Sequence, residues 1–152
     1  HQMIHYDAEG DLDEASVPDT LRGYLEAYRR FVREAGAEPF GCELRLAHPK
    51  LLYAGTLDWV GWLHHANLTL IDFKSGAYSP WMQLQLGAYL DLLMVNQEQL
   101  GLVPDDFEQI DLIVCELRRD GSYKFRPADA VRGRLHFREA LSLTHYLDSK
   151  GL

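Results

Sequence analysis

The sequence predicts an α/β (α+β) domain, and three observations carry that reading. A segment with apolar residues at helical spacing opens the ordered part of the chain, and another closes it. Between them, three consecutive runs read as strands, two of them joined by a hairpin-length gap. A long helical stretch then leads to a further buried apolar run. At 152 residues the chain is long enough for one domain with a sizeable core, and no repeat, low-complexity stretch or linker divides it. Residues 1–152 are therefore expected to form a single domain.

Taken in order, residues 1–15 end acidic, in "YDAEGDLDE", as a helix end followed by an exposed loop. "SVPDTLRGYLEAYRRFVREAG" reads as a helix, with Leu21, Tyr24, Leu25, Tyr28, Phe31 and Val32 at helical spacing. Ser16 or Asp19 can cap its start and Gly36 can end it. The strand-like runs are "FGCELRLA" (40–47), "LLYAGTLDWVGWL" (51–63) and "NLTLIDFK" (67–74), with "HHAN" as the hairpin turn. A helix is expected from about Pro80 to Leu100, with Ser79 as cap and Gly101 as stop. "QIDLIVCEL" (109–117) reads as a buried strand. "GSYKFRP" follows an "RDG" turn as a short partner, and "ADAVRGRLHFREALSLTHYLDSKG" as a last amphipathic helix.

Composition bounds the function classes. Hydrophobic residues make up 47% and charged residues 25%, as in an ordinary soluble protein. No apolar run approaches the ~18 residues of a membrane span. The chain starts at His1 without a methionine, and native residues are expected to precede it. Cys42 and Cys115 stand alone in apolar runs, which excludes an iron–sulfur cluster or cysteine zinc site and suits reduced thiols in a cytoplasmic protein. The net charge of −8 argues against binding nucleic acid by bulk charge. Clustered carboxylates that hold divalent metals also make a chain acidic. A local contact patch would then come from Arg118, Arg119, Lys124, Arg126, Arg132 and Arg134, whose other reading is a solvated surface. No phosphate-binding G-x-x-x-x-G-K-[ST] loop is present, so no nucleotide cofactor is expected, and any motor it works with is a separate polypeptide or gene segment. No nucleophile-elbow serine is present either.

The chemistry concentrates in "LTLIDFKSGAYSPWMQLQLGAYL" (68–90). A turn centred near His65 sets Asp58 and Asp72 opposite each other on one face. Lys74 shares that face, two residues further on. Two carboxylates that close repel unless something neutralises them, and a divalent cation does so. Oxygen ligands suit Mg²⁺ or Mn²⁺. A lysine beside metal-bound water can orient that water as a nucleophile, which together makes a phosphodiester-hydrolysis apparatus.

"GTLDWVGWL…LTLIDFKSG…QLQLGAYL" resembles the PD-(D/E)XK nuclease superfamily, in particular its RecB-like exonuclease branch. The matching positions are Asp58, then Asp72-Phe73-Lys74, then Gln85 and Tyr89 in Q-x-x-x-Y. The resemblance covers at least residues 40–117. It implies a restriction-endonuclease-like αβββαβ core with a central mixed sheet flanked by helices. It implies metal-dependent DNA cleavage at ends or single strands, of a phage or prokaryotic recombination and repair kind, in the cytoplasm of a prokaryotic or phage-infected cell. A helicase or recombination protein is the implied partner, and ring-shaped oligomers occur among family members. Asp58, Asp72 and Lys74 would be catalytic. The backbone carbonyl of Phe73 would join Asp58 and Asp72 on the metal, and Gln85 and Tyr89 would position DNA and the lysine. His1 fits the position of a further metal ligand, against its reading as a frayed or added terminal residue. Glu43 stands either as a third carboxylate of the site or as an exposed strand residue alternating with Cys42 and Leu44.

The remaining candidates have plainer readings. Trp81 can stack on an unpaired base or serve as a core-edge aromatic. Trp59 and Trp62 read as packing residues, Gln83 as surface, His64 and His65 as an exposed turn pair, and His136 and His145 as surface or packing residues. A second class of function is a catalytically silent nucleic-acid-binding or scaffold module of the same fold. A third is a generic domain whose D-x-K is a surface ion pair.

Overall fold

Each strand-like run becomes a strand, and the long hairpin fixes the rest. The computed structural model describes residues 2–151 of the chain. In chain order the elements are α1 (Gln2–Glu9), α2 (Asp19–Glu34), β1 (Ala37–His48), β2 (Tyr53–Leu63), β3 (Leu68–Lys74), α3 (Trp81–Val95), α4 (Gln97–Leu100), β4 (Asp111–Leu117), β5 (Tyr123–Pro127) and α5 (Ala130–Lys150). The five strands form one mixed sheet in sequential order. β1–β2, β2–β3 and β4–β5 pair antiparallel, whereas β3–β4 pair parallel. A parallel pair needs a long crossover, and α3 with α4 supplies it. The fold is therefore α+β, a five-stranded mixed sheet flanked by helices. Among the described residues no helix is long and apolar enough to cross a membrane.

The sheet is buried on both faces. On one side α2 lays Tyr28 and Phe31 against Trp59, Ile71, Phe73 and Cys115. Phe31 meets Phe73 and Trp59 edge-on, at 5.7 and 6.0 Å between ring centres. On the other side α3 lays Leu86, Leu90 and Leu93 against Leu57, Leu70 and Val114. β3 lies between them, and every residue from Leu68 to Phe73 is buried. That is why it reads as a nearly continuous apolar run.

Several expected boundaries move. The α2 start is set by Pro18, not by a Ser16 or Asp19 cap. Ser16 instead donates its hydroxyl to the Asp13 carbonyl at 2.7 Å, in a short 3₁₀ turn, and Asp19 holds Arg22 at 3.0 Å. The expected helix 80–100 is two helices. Asn96 interrupts it by donating its side-chain amide to the Leu92 carbonyl (2.7 Å) and to Ala47 of β1 (3.1 Å). Gly101, in the left-handed region at φ 70, ends the second piece. No side chain caps α3; the Ser79 carbonyl accepts from the Met82 N–H instead. The "HHAN" turn is built on His64 and His65, both at positive φ, as a tight hairpin requires.

α5 crosses α3 at two glycines. A Cβ on Gly87 would lie 2.2 Å from the Gly133 carbonyl carbon, so only glycine permits this approach. Asp91 of α3, fully buried, receives Arg134 and Arg138 of α5. Gly133 is the only fully buried residue of α5, so the crossing and this ion cluster hold the helix in place. The expected basic patch is corrected accordingly: Arg134 is committed to Asp91 and is not a free surface cation.

Candidate active site

The site begins with register. β2 and β3 pair Trp59 with Ile71 and Val60 with Leu70, so the next step along the hairpin sets Asp58 across from Asp72. β1 and β2 pair Cys42 with Trp59 and Leu44 with Leu57, which sets Glu43 across from Asp58. Glu43, Asp58 and Asp72 thus occupy one row across three neighbouring strands.

The strands twist at this row. Leu57 packs on the α3 side and Trp59 on the α2 side, so inside-outside alternation reverses around Asp58. β1 does the same around Glu43, with Cys42 facing α2 and Leu44 facing α3. Glu43 itself holds φ at 51°, a left-handed conformation uncommon for a residue with a side chain. Such strain costs on the order of 1–3 kcal/mol and concentrates at functional sites. The expectation that Glu43 alternates simply with Cys42 and Leu44 is corrected by this reversal: it is half-buried and belongs to the acidic row.

Asp58 is 8% exposed and Asp72 is fully buried. The Phe73 backbone N–H donates to Asp58 Oδ2 at 2.8 Å, tying the first carboxylate to the strand that carries the second. In an extended strand the N–H and C=O of one residue project to the same side. The Phe73 carbonyl therefore faces the Asp58 side as well. Lys74 Nζ lies 2.8 Å from the Asp72 carboxylate, and its side chain is 17% exposed.

α3 closes the site from above. The Gln85 side-chain amide donates to the Tyr89 hydroxyl oxygen at 2.7 Å, as their four-residue spacing on a helix allows. Burial above all, then the charges of Asp58, Asp72 and Glu43, push the Tyr89 hydroxyl above its ordinary range, against the pull of the Gln85 hydrogen bond. Tyr89 thus stays protonated and stands within electrostatic reach of all three carboxylates. The amide oxygen of Gln85, Oε1, is buried and accepts no hydrogen bond among the described residues. The Tyr89 ring sits directly over Gly55 of β2, where a Cβ would come within 2.8 Å of its Cε1. The Tyr53 hydroxyl donates to the Ala88 carbonyl at 3.1 Å, pinning the same stretch of α3 to β2.

Beyond Lys74 the row continues into a cationic edge. Lys74 is paired in register with Glu116 of β4, which receives Arg126 of β5 and lies near Arg118. Arg126 also covers the Tyr78 ring at 5.0 Å, and Gln83 donates to the Tyr78 hydroxyl at 2.8 Å. Arg118, Arg119 and Lys124 are exposed nearby in sequence. Gln83 is therefore a supporting residue, and Arg126 is an anchored one.

The residues placed together are Asp58, Asp72, Lys74, Gln85, Tyr89 and Glu43. His1 lies outside the described residues. His64 and His65 stay at the far end of the hairpin, where His65 meets Glu38 at 3.0 Å. Burial raises the Cys42 thiol to about 11 and pushes Cys115 further, so both are inert thiols. Two features escaped the sequence reading. Glu116 had a usable signal, a charge inside the apolar run "LIVCEL", the same signal that singles out Asp72. Gly55 heads the quoted G-T-L-D run, but its role beneath Tyr89 had no signal, since that depends on where α3 lands.

The donor set fits a hard divalent cation. Among the described residues no three His, Cys, Asp or Glu side chains converge as a preformed cage. Mg²⁺ needs none, because it is commonly held by one or two carboxylates, with waters and substrate phosphates completing the shell. No protein-family model matches the chain, and no curated protein matches its sequence.

Proposed function

We propose that this chain is a metal-dependent DNA nuclease with a restriction-endonuclease-like αβββαβ core, of the RecB-like exonuclease kind. The observation that carries the reading is the Asp58–Asp72 pair, buried in one cross-strand row with Lys74 held on Asp72. Carboxylates are not placed side by side in a sheet interior for stability. The Gln85–Tyr89 pair facing the same row supports the motif-level resemblance.

Asp58, Asp72 and the Phe73 carbonyl would hold Mg²⁺ or Mn²⁺, with His1 as a further candidate ligand. The bound ion supplies Lewis-acid polarisation of the phosphate and a lowered pKa for its water. The chain's own groups do the rest. Asp72 holds the Lys74 ammonium so that it orients the attacking water oxygen and stabilises charge on the phosphoryl group. That oxygen bonds to phosphorus as the phosphorus–oxygen ester bond breaks. The water's proton passes to solvent, and the departing alkoxide takes one from solvent. Tyr89, protonated and oriented by Gln85, donates to the DNA backbone, and Glu43 strengthens the negative field that draws the cation in.

The resemblance further supports action on DNA ends in phage or prokaryotic recombination or repair, in the cytoplasm, alongside a helicase or recombination partner. Cleavage of end-labelled linear DNA and of circles, single- and double-stranded, tests the reading with Mn²⁺, Mg²⁺ or EDTA. Wild type degrades linear DNA only with metal and spares circles. Lys74→Ala loses on the order of 10²–10³-fold in rate, the scale of one preorganised charge-stabilising group. A folded wild type that cuts none of these substrates refutes it and leaves the silent nucleic-acid-binding or scaffold module.

A further inference from the structure

We propose that Trp81, with Lys74 beside it, is a stacking site for an unpaired base of a single-stranded DNA end. The inference rests on the nuclease reading and specifies its substrate. Trp81 opens α3, and it is 55% exposed whereas Trp59 is fully buried. Its ring centre lies 5.9 Å from Lys74 Nζ, the cation of the candidate site. A nucleotide whose phosphate meets Lys74 therefore has a base within reach of the indole.

A second aromatic–cation pair stands three residues earlier in the same connection. Tyr78 carries the Arg126 guanidinium over its ring at 5.0 Å, and Glu116 anchors that guanidinium from below. Rings for bases interleaved with cations for phosphates is how single-strand grooves are built. The chemistry also selects the strand. In a duplex, both faces of an internal base are covered by its neighbours, so a ring on the protein has no face to meet. An unpaired base offers one, and stacking accepts any base, as a non-sequence-specific nuclease requires. The surrounding charge agrees. The carboxylate row repels bare phosphate, so the strand is led in along the Lys74–Arg126 edge.

The test is the indole fluorescence of the protein titrated with an oligothymidylate and, separately, with a covalently closed duplex circle. Ca²⁺, another oxygen-seeking cation, replaces Mg²⁺. Oligothymidylate quenches wild type, and Trp81→Phe abolishes the quench while holding affinity by anisotropy within about threefold, because a ring remains. Trp81→Ala weakens oligothymidylate binding roughly tenfold to hundredfold and leaves the duplex unchanged. Undiminished single-strand affinity of Trp81→Ala, or an equal loss on the duplex, overturns the proposal. Absence of a Trp81-dependent quench overturns it as well. Because the quench needs no turnover, a protein that shows it but never cuts refutes the nuclease reading and upholds this site.

Discussion

Gly55 tests the packing beneath Tyr89, a role that its place at the head of the G-T-L-D run does not by itself reveal. Replacing it with alanine puts a methyl 2.8 Å from Tyr89 Cε1 and 3.1 Å from Leu92 Cδ1. Ordinary contact begins at 3.4 Å, so the tyrosine edge must recede by about 0.6 Å. It has little room, since Tyr53 ties Ala88, its neighbour on α3, to β2, and Gln85 holds its hydroxyl at 2.7 Å. Overpacking of this size costs about 1–3 kcal/mol. For a domain of this length that is a fall in Tm of about 2–12 °C. If Tyr89 positions DNA, its displacement also slows cleavage by roughly tenfold, part of the hundredfold that a full 1 Å misplacement can cost. Gly76→Ala is the matched control, because a methyl there meets nothing within 4 Å. Circular-dichroism melts and a single-turnover cleavage assay on both variants give the answer. A Gly55→Ala protein with the Tm and rate of Gly76→Ala would refute the seating of Tyr89 on β2.

Other parts of the structure make equally direct predictions. Asp91→Ala strands Arg134 and Arg138; because both reach solvent, the cost falls at or below the low end of the buried-pair range, about 2–3 kcal/mol, measured by urea unfolding. Burial raises the folded-state pKa of Tyr28, Tyr53, Tyr89 and Cys115, so the folded form keeps protons that the unfolded chain releases. The contribution of these groups is then level from neutral pH to roughly pH 8.5 and falls as pH climbs through the unfolded thiol and phenol values near 8.5 and 10. Melts from neutral to strongly alkaline pH check this, and a flat profile would contradict it. Arg118→Ala with Arg119→Ala, both exposed, lowers the slope of log affinity for single-stranded DNA against log salt by about 0.7 per lost phosphate contact. Arg134→Ala lowers Tm and leaves that slope alone.

The parts of the site legible in the sequence are those governed by local periodicity. A hairpin centred at His65 fixes Asp58 opposite Asp72, because strand register is counted outward from the turn. Gln85 and Tyr89 share a helix face for the same reason at a different period. What was not legible depends on distant partners. The stretch 80–100 reads as one helix, and its break comes from Asn96 reaching Ala47 on β1. Arg134 looks like any surface arginine until α5 crosses α3 at Gly87 and Gly133 and brings it to Asp91. The reversal of facing at Glu43 and Asp58 breaks the two-residue rule on which strand reading rests, and a glutamate at positive φ carries no sequence signal. Glu116 shows the middle case, visible as a charge in a buried run but assignable only once Arg126 stands beside it.

A divalent cation shared by Asp58 and Asp72 is the centre of the proposed chemistry. Calorimetric titration of Mn²⁺ into the metal-free protein measures this without any substrate. Wild type binds one ion at the site, Asp58→Asn and Asp72→Asn each abolish that binding, and Lys74→Ala retains it. Equal Mn²⁺ binding by wild type and both asparagine variants would contradict the account at its centre.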